Sequence, residues 1–430
     1  MQKTIVKSDL LKKEYVLNEH PSGLKIMLYP MKGFSSNYAI FGTKYGSIDN
    51  SYLNEKGEKV DLPEGIAHFL EHKLFESEDG DAFTKYAKTG AYSNAYTSFD
   101  RTCYLFSCSN RFYDNLKILL DFVRSPYFTA ETVNKEQGII GQEIRMYDDM
   151  PNWRVLFNML DGMFHNHPVK IDIAGTVESI AKITDQTLFD CYNRFYDLSN
   201  MFIVLAGDFN TDEVLDFIYS NLKLSESEFK NTKSVMPTEP DAVKNNFVSC
   251  NLDVAKPLFC LGFKEPCNEK CDVKKLVSMD ILLKMLAGSA SDLYRELLDA
   301  NLINEEFSFE YFNGRGFSLP LFEGESNDPE KVMELILNKI EQYRQNGLDW
   351  KLFEAIRREL YGRGICRFDA AESVCTMLTD ATVLNYNIFE YFECIANITP
   401  ADVSERLSIF TKENSVLSVV NPVKQEKRDA

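Results

Sequence analysis

Two of the five histidines in this 430-residue chain stand four residues apart, in His68-Phe69-Leu70-Glu71-His72. On a helix, positions i and i+4 project from one face, so both imidazoles can reach a single ion, and Glu71 at i+3 falls on the same side. Two imidazoles and one carboxylate are the ligand set of a catalytic zinc, with the fourth position left to water. Zinc bound in this way lowers the pKa of that water toward about 7 and polarises a peptide carbonyl. Glu71 would then take the proton. His-x-x-Glu-His is the inverted order of the more familiar His-Glu-x-x-His motif. The third ligand must come from elsewhere, and a later helical stretch offers Glu136 and Glu143, seven residues apart and so two turns along one face. One of the two should bind zinc and the other should support the site.

The elements that must hold these residues can be read from periodicity. Glu14 to Asn18, a Pro21-Ser22-Gly23 turn and Leu24 to Tyr29 read as a hairpin, followed by a strand over Tyr38 to Lys44. From Glu64 to Phe75 the spacing becomes helical, with Ile66, Phe69, Leu70 and Leu74 on one apolar stripe. A helix over Phe83 to Lys88 ends at Gly90, and Ala91 to Cys108 reads as two strands joined around Asp100-Arg101. Helices over Tyr113 to Arg124 and Ala130 to Tyr147 follow, the second capped by Thr129.

Later segments repeat one another. Ile183-Thr184-Asp185 opens a helix before a strand at Asn200 to Asp208, and Ile398-Thr399-Pro400 opens one before a strand at Asn414 to Pro422. Gln142-Glu143-Ile144 resembles Arg358-Glu359-Leu360. These pairs predict an α+β protein of two similar halves, each a mostly antiparallel sheet packed with helices. The halves are residues 1–224, carrying the metal site, and 245–430, metal-free, joined by a polar linker at 225–244 that holds Pro237 and Pro240.

Composition limits the function classes. Hydrophobic residues are 44% and charged residues 26%, so the chain is an ordinary folded protein. Forty-seven basic against 65 acidic residues give a net charge of −18, a field that repels phosphate backbones and argues against nucleic acid as a partner. The field favours neutral or basic ligands. The ten cysteines follow no repeated spacing and read as reduced thiols. With no secretory leader and no long apolar run, a cytoplasmic chain without a membrane span is expected. His165-Asn166-His167-Pro168 reads as a turn rather than a metal pair, and His20, before Pro21, as solvent-facing.

The block from Leu62-Pro63-Glu64-Gly65 through His72 to Glu76, then Asn94-Ala95-Tyr96-Thr97-Ser98, then Glu136 to Glu143, resembles the pitrilysin/insulinase family of zinc metallopeptidases. The resemblance implies His68, His72 and Glu143 as the zinc ligands. It also implies Glu71 as the general base, with Glu136 as the supporting carboxylate of the catalytic set. It further implies that a peptide substrate adds as a strand beside Ser93, Asn94, Ala95 and Tyr96, a mode in which main-chain hydrogen bonds supply affinity with little sequence demand.

The second half departs from that family. Members active alone or as identical pairs carry an arginine and a tyrosine that hold substrate and oxyanion opposite the zinc. Here the arginine position falls on Leu298 and the tyrosine position on Asn304 or Glu305. Neither can replace its counterpart, since leucine has no charge and a carboxylate repels a developing oxyanion. The expected protein is therefore a zinc endopeptidase subunit completed by a related partner that supplies the Arg/Tyr pair. The other possibility is that Arg295, Arg315 or Tyr311 of this chain moves into the role, and a homodimer is the alternative assembly. The alternative function is a non-catalytic peptide-binding or scaffold subunit of a processing-peptidase-like complex.

Overall fold

Alternating and helical stretches become strands and helices much as their periods require in the computed structural model, which describes residues 3–78, 80–224, 232–267 and 270–423. In chain order the first strands are β1 (Lys3–Ser8), β2 (Lys13–Glu19), β3 (Lys25–Pro30) and β4 (Asn37–Thr43), with a small ribbon of β5 (Ser51–Leu53) and β6 (Lys59–Asp61). Then come α1 (Ile66–Leu74), a second ribbon of β7 (Glu76–Ser77) and β8 (Gly80–Asp81), α2 (Ala82–Ala87), β9 (Tyr92–Thr97) and β10 (Thr102–Cys108). Helices α3 (Phe112–Val123), α4 (Ala130–Asp148), α5 (Pro151–Met163), α6 (Val177–Ile180) and α7 (Asp185–Phe195) lead to β11 (Met201–Gly207) and α8 (Thr211–Asn221).

The second half runs β12 (Phe247–Leu252), β13 (Leu258–Phe263), α9 (Val273–Ala287), α10 (Asp292–Asp299), β14 (Ser308–Gly314) and β15 (Phe317–Glu325). It closes with α11 (Pro329–Asn346), α12 (Trp350–Cys366), α13 (Ala371–Val383), α14 (Ile388–Asn397), α15 (Pro400–Ser404) and β16 (Ser415–Pro422).

The duplication is visible in the topology. One sheet has the order β1-β2-β3-β11-β4-β10-β9 and the other β12-β16-β13-β15-β14. If β12 is matched to β3, β16 to β11, β13 to β4, β15 to β10 and β14 to β9, every pairing agrees in direction. β3·β11 and β12·β16 are parallel, and the three remaining pairs among the matched strands of each sheet are antiparallel. The α+β class of two helix-packed, mostly antiparallel sheets is thus as expected. Periodicity does not predict β1 or the β5/β6 ribbon, because β5 and β6 have only three residues each and β1 is a short apolar pair between lysines.

Two compact units result, and neither is continuous in sequence. One comprises residues 1–144, 171–236 and 364–389, the other residues 145–170, 237–363 and 390–430. Within the proposed linker at 225–244, residues 225–231 lie outside the described ones. The interleaving has a packing cause. In the first unit, one face of the sheet (Ile26, Leu28, Ala39, Phe41, Tyr104, Phe106, Ile203, Leu205) forms a core with Phe69, Leu70, Leu116, Leu120 and Ile140 of the helices. Strands β4 and β11 are buried at every residue, so their second face also needs cover. Helix α13 supplies it, packing on β11 and β4.

The second unit repeats this arrangement with α5, which packs on β16 and β13. Glycine permits its close approach: a Cβ on Gly262 would lie 2.6 Å from the Met159 sulfur, and one on Gly162 2.8 Å from a Val248 methyl.

Candidate metal centre

Helix α1 begins where two loops touch. Gly65 has φ 86°, and a Cβ there would stand 2.3 Å from the carbonyl oxygen of Ala174. Gly175, at φ 74°, returns the constraint, its absent Cβ only 2.5 Å from the Glu64 oxygen. The glycine in Pro63-Glu64-Gly65 therefore fixes how α1 enters the unit. Ile66, Phe69, Leu70 and Leu74 then anchor the helix in the core, which turns His68, Glu71 and His72 to the opposite side. Helix α4 is held by Val133, Ile140 and Ile144, and presents Glu136 and Glu143.

The expected ligands meet. Nε2 of His68 and Nε2 of His72 are 3.3 Å apart, and the Glu143 carboxylate stands 3.8 Å from the first and 3.5 Å from the second. Donors about 2.0–2.1 Å from a tetrahedral ion are separated by about 3.4 Å, close to the spacing of the two nitrogens and of each nitrogen from its nearer Glu143 oxygen, Oε1 for His68 and Oε2 for His72. This is the only group of three or more His, Cys, Asp or Glu side chains among the described residues that could hold an ion. Two imidazole nitrogens this close, each with a lone pair, need a cation or a proton between them. The residues present therefore fit zinc.

Glu136 supports from behind: its oxygen lies 3.0 Å from Nδ1 of His72, and the side chain is only 8% exposed. That hydrogen bond places the ring proton on Nδ1 and leaves Nε2 for the ion. In the metal-free protein, burial pulls His72 down, but the Glu136 hydrogen bond and the charges of Glu71, Glu136 and Glu143 outweigh it and raise its pKa. His68, with no such partner, is pushed down to about 3 by burial and then by His72.

Glu71 sits in the same recess. Burial raises its pKa against the opposing pull of the Thr97 hydroxyl and of His72. The hydroxyl of Thr97 donates to Glu71 Oε2 at 2.8 Å. The sequence signal for Thr97 is its parity within Asn94 to Ser98, two residues beyond Ala95 and so on the same side of the strand.

Residues Ser93 to Tyr96 lie on β9, which is the edge of the seven-stranded sheet. The side chain of Asn94 is exposed at that edge, and its oxygen accepts the Ala95 N–H at 2.9 Å. The backbone of Ala95 thus faces outward, and alternation gives Ser93 and Thr97 the same orientation. The side chain of Tyr96 is engaged by Cys103 of β10.

Several other sequence candidates take structural roles. In the second unit, Leu298 packs against the core and the Asn304 amide donates to Glu325 at 3.0 Å, while Glu305 is exposed. The phenol of Tyr311 is buried beside Glu265 and Ser318. Arg295 is exposed, and Arg315 is half-buried in the turn after β14. The His165–His167 turn is held by Glu239, whose carboxylate accepts the backbone N–H groups of residues 165, 166 and 167 at 2.7–2.9 Å. His20 is not solvent-facing as expected: it is 7% exposed, bonded through Nδ1 to Ser22 and set edge-on to Tyr219. The Pro21 turn folds it back onto α8.

Sheet topology and the inverted histidine pair together define a duplicated α+β protein with a candidate metal centre on one of its two units. Comparison with known proteins gives the family: the profile described as Insulinase (Peptidase family M16) matches residues 57–177, and that described as Peptidase M16 inactive domain matches residues 182–360. A Bacillus subtilis (strain 168) chain named as the uncharacterized zinc protease YmfH is 38% identical over 89% of this chain and 90% of its own. The crystal structure of a chain described as an M16-like peptidase, from Alicyclobacillus acidocaldarius, superposes with TM-score 0.92 at 33% identity over 98% of this chain and 99% of that one. Pitrilysin shares the fold, with TM-score 0.75 at 18% identity over 98% of this chain but 46% of its own. This chain belongs to peptidase family M16.

Proposed function

We propose that this chain is the zinc-bearing subunit of an endopeptidase that hydrolyses peptides or flexible segments drawn into extended form. The observation that carries the reading is the convergence of His68, His72 and Glu143 on one point with Glu71 beside it. A bound zinc would activate a water and polarise the scissile carbonyl. The chain's own residues do the rest. Nε2 of both histidines and the Glu143 carboxylate hold the ion, and Glu136 keeps the His72 proton on Nδ1. Glu71 accepts the proton of the attacking water and passes it to the leaving amine. Outward backbone groups of Ser93 and Ala95 pair with the peptide, and the Asn94 and Tyr96 positions flank it.

The Arg/Tyr pair expected to stabilise the oxyanion comes, in this reading, from a related partner subunit. Leu298, Asn304 and Tyr311 support it, since each is committed to packing or hydrogen bonding within its own unit. The chain also spans about half the length of pitrilysin and 48% of the Escherichia coli PqqL chain, proteins long enough to hold two such modules. A pair of identical subunits is the competing assembly. The missing donors equally favour, as second reading, a non-catalytic peptide-binding or scaffold subunit. Ten free cysteines support a reducing, cytoplasmic setting, and no helix among the described residues is long and apolar enough to cross a membrane.

The test is peptide digestion by the chain purified alone and with the proteins that co-purify from its host. Chelator-sensitive cleavage that appears with the partner and falls about 10³-fold or more in Glu71→Gln is expected. Full cleavage by a verified monomer or homodimer would refute the partner requirement. No cleavage in either preparation, with zinc bound, would favour the scaffold.

A further inference from the structure

Glu71 lies in the recess on the face of α1 that carries His68 and His72, with several rotatable bonds between its backbone and its carboxylate. A hydrogen bond to that carboxylate comes from 26 residues later. Thr97, the last residue of edge strand β9, donates its hydroxyl to Oε2 of Glu71 at 2.8 Å, and its backbone amide faces the same carboxylate. By strand alternation Thr97 shares the outward orientation of Ala95 and Ser93, so the hydrogen-bonding edge open to a peptide ends where the edge meets Glu71.

We propose that Thr97 is the positioning residue for the general base: by occupying one carboxylate oxygen it sets the rotamer of Glu71, and as the terminus of β9 it ties that rotamer to the strand on which the peptide docks. The inference rests on the hydrolytic reading of the site. Its chemical logic is separate. A carboxylate free to rotate must be reoriented before each proton transfer, whereas one held through Oε2 keeps the other oxygen in place. The hydroxyl is needed for this. A β-branched side chain alone satisfies the strand and its packing but offers no donor.

The variants are Thr97→Val, which keeps shape and strand preference while removing the donor, and Thr97→Ser, which restores it. Two readouts are taken on the full chain. In crystals of metal-free protein, wild type and Thr97→Ser should show one Glu71 rotamer, and Thr97→Val several or a different one. In peptide hydrolysis by the zinc-loaded protein with its co-purifying partner, Thr97→Val should lose about 10- to 100-fold in kcat with KM within about twofold, and Thr97→Ser should stay within about threefold of wild type. Zinc stoichiometry should be unchanged in all three. An unmoved Glu71 in Thr97→Val crystals, or a loss confined to KM, overturns the proposal. Failure of the hydrolytic reading has a different signature: wild-type protein with zinc bound cleaves nothing, while the rotamer comparison still decides the role of Thr97.

Discussion

Removing the carboxylate behind His72 should weaken metal binding without touching a ligand. Glu136 is nearly buried, with its oxygen 3.0 Å from Nδ1 of His72. In Glu136→Ala the ring loses the acceptor that selects its tautomer, so the form with Nε2 available no longer dominates, and the electron-donating effect of the carboxylate disappears. Partners of this kind contribute about 10- to 100-fold in metal affinity, or about 1.4–2.8 kcal/mol. Glu136→Gln, which keeps an acceptor oxygen but loses the charge, should fall between wild type and alanine. The assay is zinc titration against a chelating indicator of known affinity.

The pH dependence carries a sign. The pKa of His72 is raised in the folded metal-free protein, so its protonated form contributes stability that is present below the unfolded value, about 6.5, and lost as pH rises through the folded value. Zinc must displace that proton. The thermal shift produced by zinc should therefore grow as pH rises across neutrality, and it should do so over a lower pH range in Glu136→Ala, where burial acts on His72 with less opposition. Equal zinc affinities for Glu136→Ala and wild type would refute the assignment of Glu136 as the support of His72.

Two further outcomes follow from packing. Gly65→Ala forces a side chain into a left-handed residue and against the Ala174 carbonyl, and should cost about 2–5 kcal/mol in denaturant unfolding together with weaker zinc binding, because the entry of α1 must shift. The second concerns Glu239. Despite its burial, the ion pair with Lys264 and the N–H groups of residues 165–167 hold this carboxyl down at about 2, so its contribution, on the order of 3 kcal/mol, is present above about pH 4.5 and lost as pH falls toward 2. Glu239→Ala should remove most of that acid-sensitive stability and leave Lys264 buried without its carboxylate, a loss of about 3–5 kcal/mol at pH 7 seen as a lower denaturant midpoint.

The sequence alone marked the candidate site. An i, i+4 histidine pair with Glu71 at i+3 needs only helical geometry to share a face, and Glu136 and Glu143 need only two turns of α4, so both parts of the candidate ligand set were legible as local patterns. The duplication was legible too, because β11 and β16 are buried strands that must be written as apolar runs. Tertiary structure decided what local pattern cannot carry. Which of Glu136 and Glu143 faces both Nε2 atoms depends on how α4 lies across α1. That Thr97 reaches Glu71 depends on where an edge strand ends beside a helix. That α5 and α13 each complete the sheet of the unit built mainly from the other half depends on which buried face lacked cover. Such relations join residues tens to hundreds of positions apart, and no spacing along the chain records them.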